Sequence, residues 1–263
     1  MEQKAKTVST FANLPFEVTN AAEKPAQMGL VTLETDLTIE TEMRHFLSGA
    51  PGHNDASGVA LLHTRIACDD QVTAENLSLM EGRFADALAL FPKDYTFEVI
   101  GYGCTSGTSV IGAENIAKIV KDRCKTKHVT EPVSALIAAC RHLGIERIGF
   151  LSPYVEAVSA GLRETLFLSG VETPIFGSFN EEIEERVVKI STVSISDAAV
   201  ELGRQDVDAI FLSCTNLNTL PVIKSIEEKI RKPVLSSNQV LAWHMSQLSN
   251  GGLSKNCDGY LFK

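Results

Sequence analysis

The sequence predicts an α/β protein of two similar lobes, each a parallel sheet flanked by helices, with its site between them. Three observations predict it. Short apolar runs alternate with amphipathic stretches along most of the chain, and parallel strands need such intervening helices. Two apolar runs end alike, "GYGCTSGTSVIG" at 101–112 and "AIFLSCTNLNTLPVI" at 209–223, each placing Cys-Thr before a polar residue and a helix-like pattern. The stretches "MGLVTLETDLTIETEMRHFL" and "IGFLSPYVEAVSAGLRETL" repeat one order of strand, polar turn and helix.

Residues 1–26 lack periodicity and read as an N-terminal arm. The first lobe, 27–128, then offers strand "QMGLVTLE", helix "DLTIETEMRHFL", strand "VALLHTRIA", the long helix "TAENLSLMEGRFADALALF", strand "FEVIGYGC" and helix "SVIGAENIAKIVKDRC". The second lobe, 129–233, repeats the rhythm with helix "EPVSALIAACRHLG", strand "RIGFLSP", helix "VEAVSAGLRETLFLSG", strand "TPIFGSF", helix "SDAAVELGRQ", strand "DAIFLSC" and helix "LNTLPVIKSIEEKIR". Strand "PVLSS" and helix "NQVLAWHMSQL" close the chain and are expected to return to the first lobe, which 234–263 then joins.

Composition narrows the function. A hydrophobic fraction of 44% and a charged fraction of 22% suit a globular protein. A net charge of -9 argues against nucleic acid or an anionic membrane as partner. No secretory core and no run of membrane-spanning length is readable, so a cytoplasmic protein is expected. The six cysteines are scattered without a C-x-x-C pair, which points to reduced thiols rather than a zinc ribbon.

Cys104 and Cys214 both fall at the carboxyl end of a strand, where α/β sheets bind ligands. A helix start there favours thiolate and is expected to lower each thiol below its free value of about 8.5. Backbone N–H groups, with Thr105, Ser106 and Thr108 on one side and Thr215, Asn216 and Asn218 on the other, can cradle a carboxylate. A small acid would then carry a thiol on each face. One thiolate removes a proton or adds to a double bond while the opposite thiol donates, and neither metal nor cofactor is needed. Cys68, Cys124, Cys140 and Cys257 read as inert thiols. His53 and His63 lack metal-ligand spacing, His244 reads as packed or solvated, and "NEEIEERVVK" reads as a solvated helix face. The glycines of "GYGCTSG" match neither the dinucleotide fingerprint nor a P-loop.

The segments "YGCTSGTSVIG", "FLSPY", "FLSCTNLNT" and "PVLSSNQVLAWH" resemble the signatures of the aspartate/glutamate racemase superfamily. Within it they look like the maleate cis-trans isomerase branch, which includes arylmalonate decarboxylase and the EutA-like proteins of ectoine utilisation. The resemblance runs from about Gly29 to His244. It implies a pseudo-twofold α/β fold with paired cysteines, Cys104 as nucleophile and Cys214 as proton donor, no cofactor, and a homodimer. The decarboxylase branch keeps only the second cysteine, so Cys104 argues against decarboxylation. By the same resemblance Tyr154 and Asn180 contact substrate. Asp36 stands where the isomerases carry an asparagine, and an ionised Asp36 repels a second carboxylate and prefers an N–H group. The resulting expectation is a racemase or epimerase acting on a small, nitrogen-bearing carboxylic acid with Cys104 and Cys214 as acid/base pair. Cis-trans isomerisation through a covalent Cys104 adduct is the alternative, and a non-catalytic small-acid binding protein the second.

Overall fold

The computed structural model describes residues 11–17, 26–47, 58–249, 251–254 and 257–263. His53 and most of the expected arm lie outside the described residues.

Two four-stranded parallel sheets carry the fold. The first contains β1 (Ala26–Leu33), β2 (Val59–Ile66), β3 (Thr96–Tyr102) and β4 (Lys125–Thr130) in the order β2-β1-β3-β4. The second contains β5 (Arg147–Ser152), β6 (Glu172–Ser178), β7 (Ala209–Leu212) and β8 (Val234–Ser236) in the order β6-β5-β7-β8. The orders are the same when counted from each first strand. Cys104 follows the third strand of the first sheet and Cys214 the third strand of the second, so the repeated Cys-Thr turns occupy equivalent places.

Helices α1 (Ile39–Leu47), α2 (Ala74–Leu88), α3 (Thr105–Ile111), α4 (Ala113–Arg123) and α5 (Pro132–Leu143) follow the strands of the first sheet. Helices α6 (Glu156–Leu168), α7 (Glu184–Val187), α8 (Thr192–Gly203), α9 (Ile223–Ile230) and α10 (Ser237–Leu248) follow those of the second. The single helix expected after Cys104 is two, broken at Gly112, whose φ of 88° suits a residue without a Cβ.

The last helix of each set crosses over. Leu136, Ala139 and Cys140 of α5 pack with Phe150 and Phe211 of the second sheet, whereas Leu241, Ala242 and Met245 of α10 pack with Met28, Leu30 and Val99 of the first. Helix α10 keeps Val240 and Trp243 in the second core as well. The expected return of 234–263 therefore divides: α10 covers the first sheet, but β8 pairs with β7 and stays in the second. Short, fully buried Val234–Ser236 suits a strand clamped between a neighbour and helices. Because one helix serves two cores, Met245→Ala is expected to cost about 2–5 kcal/mol, read as one shifted urea transition rather than two.

Candidate active site

The two cysteine turns meet in one buried cavity. Cys104 ends β3 and caps α3, its Sγ accepting the Gly107 N–H at 3.2 Å. Its carbonyl accepts the Thr108 hydroxyl at 2.7 Å, which pins the first turn. Gly107 is required by crowding: a Cβ there would lie 2.3 Å from the Tyr102 hydroxyl and 2.9 Å from Cys104 Sγ. Gly107→Ala is expected to displace the thiol and lower activity on the order of 100-fold, with an unchanged far-ultraviolet circular dichroism spectrum.

Cys214 follows the four-residue strand β7 with φ of 104°, a left-handed conformation that costs a non-glycine residue about 1–3 kcal/mol. Its N–H donates to Ser237 Oγ at 3.1 Å, and its Sγ accepts the Asn216 N–H at 3.3 Å. Ser237 Oγ also accepts the Thr105 hydroxyl at 2.8 Å, so the first residue of α10 ties the two cysteine loops together.

Cys104, Thr105, Ser106, Asp36, Tyr154, Cys214, Thr215 and Asn216 all line the cavity. Thr108, whose hydroxyl is spent on Cys104 O, and exposed Asn218 do not line it, and neither does Asn180. It sits exposed in a turn after β6 with φ of 52°, its Oδ1 accepting the Ser178 hydroxyl.

Asp36 does two things. Its Oδ1 accepts the Thr38 and Ile39 N–H groups at 2.9 Å and starts α1, while its buried Oδ2 makes no close hydrogen bond and has the Thr215 hydroxyl as its nearest donor. Arg65 organises the same turn by donating to the carbonyls of Leu33, Glu34 and Asp36. The carboxylate expected to face substrate thus also holds the turn that opens α1.

Several lining groups escaped the sequence reading, Thr35, Cys68 and Glu184 among them. Cys68, read as inert, lies 3.3 Å from the Thr35 hydroxyl, and both residues line the cavity. Glu184, expected on a solvated face, is 5% exposed and accepts from the Tyr154 hydroxyl and from Asn216 Nδ2, the latter at 2.7 Å. The signal was present: Glu184 and Val187 are spaced i, i+3, and both are buried on one face of α7.

Residues 70–72 roof the cavity by pairing with 182–184. Val72 N–H donates to Glu182 O at 2.9 Å and Glu184 N–H to Asp70 O at 3.0 Å, around an antiparallel bridge between Gln71 and Ile183. The cavity offers about 20 Å³, space for about one water, so a small acid needs more room than this conformation gives.

Electrostatics reverse the expected thiol acidity. Burial pushes the Cys104 thiol up to about 12, against the stabilising Gly107 N–H. Burial and then the Glu184 carboxylate hold Cys214 well above the ordinary thiol range. Both turns lie too deep for their N–H groups to offset desolvation. Burial likewise raises Asp36 and Glu184. Among the described residues, the cavity has three acidic side chains, Asp36, Asp69 and Glu184, and no lysine, arginine or histidine. No cluster of three metal-ligating side chains occurs among the described residues, and no described helix is long and apolar enough to cross a membrane.

Comparison with known proteins gives a consistent family. The chain is 26% identical over 221 residues to the maleate isomerase of Nocardia farcinica, covering 80% of this chain and 85% of that one. It is 23% identical over 224 residues to the maleate isomerase of Geobacillus stearothermophilus, covering 81% and 88%. It superimposes with a TM-score of 0.76 at 23% identity, covering 86% and 93%, on a Nocardia farcinica maleate cis-trans isomerase variant with a covalently bound succinylcysteine intermediate. The family model described as arylmalonate decarboxylase matches residues 113–262, more than half of the sequence, and the chain belongs to that family.

Proposed function

We propose that the chain is a cofactor-independent cis-trans isomerase of a small unsaturated carboxylic acid, working through a covalent Cys104 adduct. The observation that carries this reading is the pair of buried thiols in one cavity, each with its Sγ oriented by a backbone N–H. Similarity to maleate isomerases supports it over racemisation of a nitrogen-bearing acid, and the succinylcysteine adduct of the Nocardia protein is the species such a route forms.

The steps balance without an outside reagent. Cys104 sulfur bonds to one alkene carbon, its proton leaving to a carboxylate oxygen such as Asp36 Oδ2. The π pair moves to the neighbouring carbon, which takes the Cys214 thiol proton. Rotation about the resulting single bond turns cis into trans. The Cys214 thiolate then takes a proton back, the double bond re-forms, and the C–S bond breaks as Cys104 recovers its proton.

One observation keeps a second reading. Asp36 Oδ2, which makes no close hydrogen bond, and the absence of a lining cation favour a substrate that presents an N–H group there, as the racemase reading requires. Proton NMR in heavy water with maleate, its monoamide and aspartate separates the two. Trans olefinic product supports the isomerase, whereas deuterium at the α-carbon of aspartate with both unsaturated acids untouched rejects it. Asp36→Asn is expected to raise the preference for maleate over the monoamide about tenfold, a shift on the order of 1.4 kcal/mol.

A further inference from the structure

Glu184 has no part in those steps, yet it is built into the site. Its carboxylate touches the Tyr154 hydroxyl, which lies 2.9 Å from Cys214 Sγ. Its other oxygen takes an N–H from Asn216, whose backbone N–H reaches the same sulfur at 3.3 Å. The backbone N–H of Glu184 is held by Asp70 O at 3.0 Å. A buried carboxylate with these partners is fixed in place, and both of its routes lead to Cys214.

The Tyr154 hydroxyl has one proton. With that proton given to Glu184, the tyrosine oxygen can only accept from Cys214, which keeps the cysteine a thiol aimed along the chain. When Cys214 gives its proton to substrate, the hydroxyl is free to donate to the new thiolate, provided that Glu184 gives up its claim on that proton. We infer that Glu184 is a positioning residue that shares one proton with Cys214 through Tyr154, holding it as a thiol before addition and as a stabilised thiolate until release. The inference rests on the isomerase reading for its kinetic consequence only. In atom terms the resting chain is Cys214 S–H, Tyr154 O–H and an ionised Glu184. The adduct chain is Cys214 thiolate, Tyr154 O–H now donating to it, and a still ionised Glu184, the Cys214 proton having gone to the substrate carbon.

The groups facing Glu184 are Tyr154 from the β5–α6 turn, Cys214 and Asn216 after β7, Asp36 after β1, Asp70 after β2, and Cys104 after β3, which feels the carboxylate through space but shares no hydrogen bond with it. Asp36 and Asp70 are like charges, and none of the six is a cation. Nothing there competes with Tyr154 and Asn216 for the carboxylate, so its removal is felt first at Cys214.

Two measurements on the full chain test this. Iodoacetamide labelling at pH 8, resolved by peptide mass, reads Cys214 against Cys104 with no need for turnover. Glu184→Gln is expected to speed Cys214 labelling about tenfold relative to Cys104, the consequence of one pKa unit, and to do so weakly when Tyr154 is already phenylalanine. Equal changes at both cysteines, or none at either, overturn the inference. In steady-state kinetics, Glu184→Gln is expected to lower kcat at least about tenfold with KM within about threefold, with partial rescue in Glu184→Asp and little added loss in the Tyr154→Phe background. Additive losses, or a change confined to KM, also overturn it. If the wild-type chain turns over no cis-acid at all, the isomerase reading fails while the labelling result still decides the role of Glu184.

Discussion

Cys104→Ser is expected to reduce isomerisation by on the order of 1,000-fold or more, the largest effect of any single change in the molecule. A serine hydroxyl is a far weaker nucleophile, and nothing in the cavity acts as a histidine base to activate it. Cys214→Ser has a different consequence, since addition at Cys104 is retained while proton transfer opposite it is slowed. The first variant should lose both adduct and product, and the second should lose product while retaining adduct. Rapid quench with product quantified by chromatography checks this. Near wild-type turnover in Cys104→Ser would remove the nucleophile from the account. The comparison is clean because either serine fits where the larger sulfur was.

Alkaline pH is expected to destabilise the fold steeply. Burial pushes Cys104 and Cys140 from an ordinary thiol value of 9.0 up to about 12. In the unfolded chain these thiols ionise at their ordinary value, whereas in the folded chain they stay protonated. The stability each contributes is complete below pH 9 and is lost as pH rises toward 12, about 4 kcal/mol for each thiol over that window. Cys214 is raised in the same direction by burial and Glu184 and adds to the slope. Urea midpoints measured from pH 8 to 10.5 are expected to fall continuously in the wild type. Cys140 takes no part in the site, and Cys140→Ala is expected to lower stability at pH 8 but to show the flatter decline. Parallel curves for the two proteins would show that this thiol is not held neutral by its burial.

The residues differ in how much of this was legible from their order along the chain. The strand–turn–helix repeat was legible because strands buried on both faces read as apolar runs, as Ala26–Leu33 and Ala209–Leu212 do. β4 was not, because "KTKHVT" is an edge strand whose lysines face solvent and whose Lys127 pairs with Glu98 at 2.8 Å. The paired cysteines were legible as a duplicated pattern. Their acidity was not, since a helix start argues for thiolate and only the depth of the turns shows that desolvation prevails. Tyr154 was reached by resemblance, and its partner Glu184 was hidden in an acidic run whose neighbours Glu181 and Glu185 do sit at the surface, pairing with Arg186 and Lys189. Asn180, named from proximity to an aligned motif, sits exposed in a positive-φ turn and is not among the residues lining the cavity.

The most direct test of the covalent route is the mass of the intact Cys214→Ser protein after exposure to maleate or its monoamide, followed by peptide mapping. A gain of one substrate mass located on Cys104 is the predicted result. Protein left unmodified after exposure to either unsaturated acid, or a modification carried by Cys68 instead, would contradict the assignment of Cys104 as the residue that forms the bond.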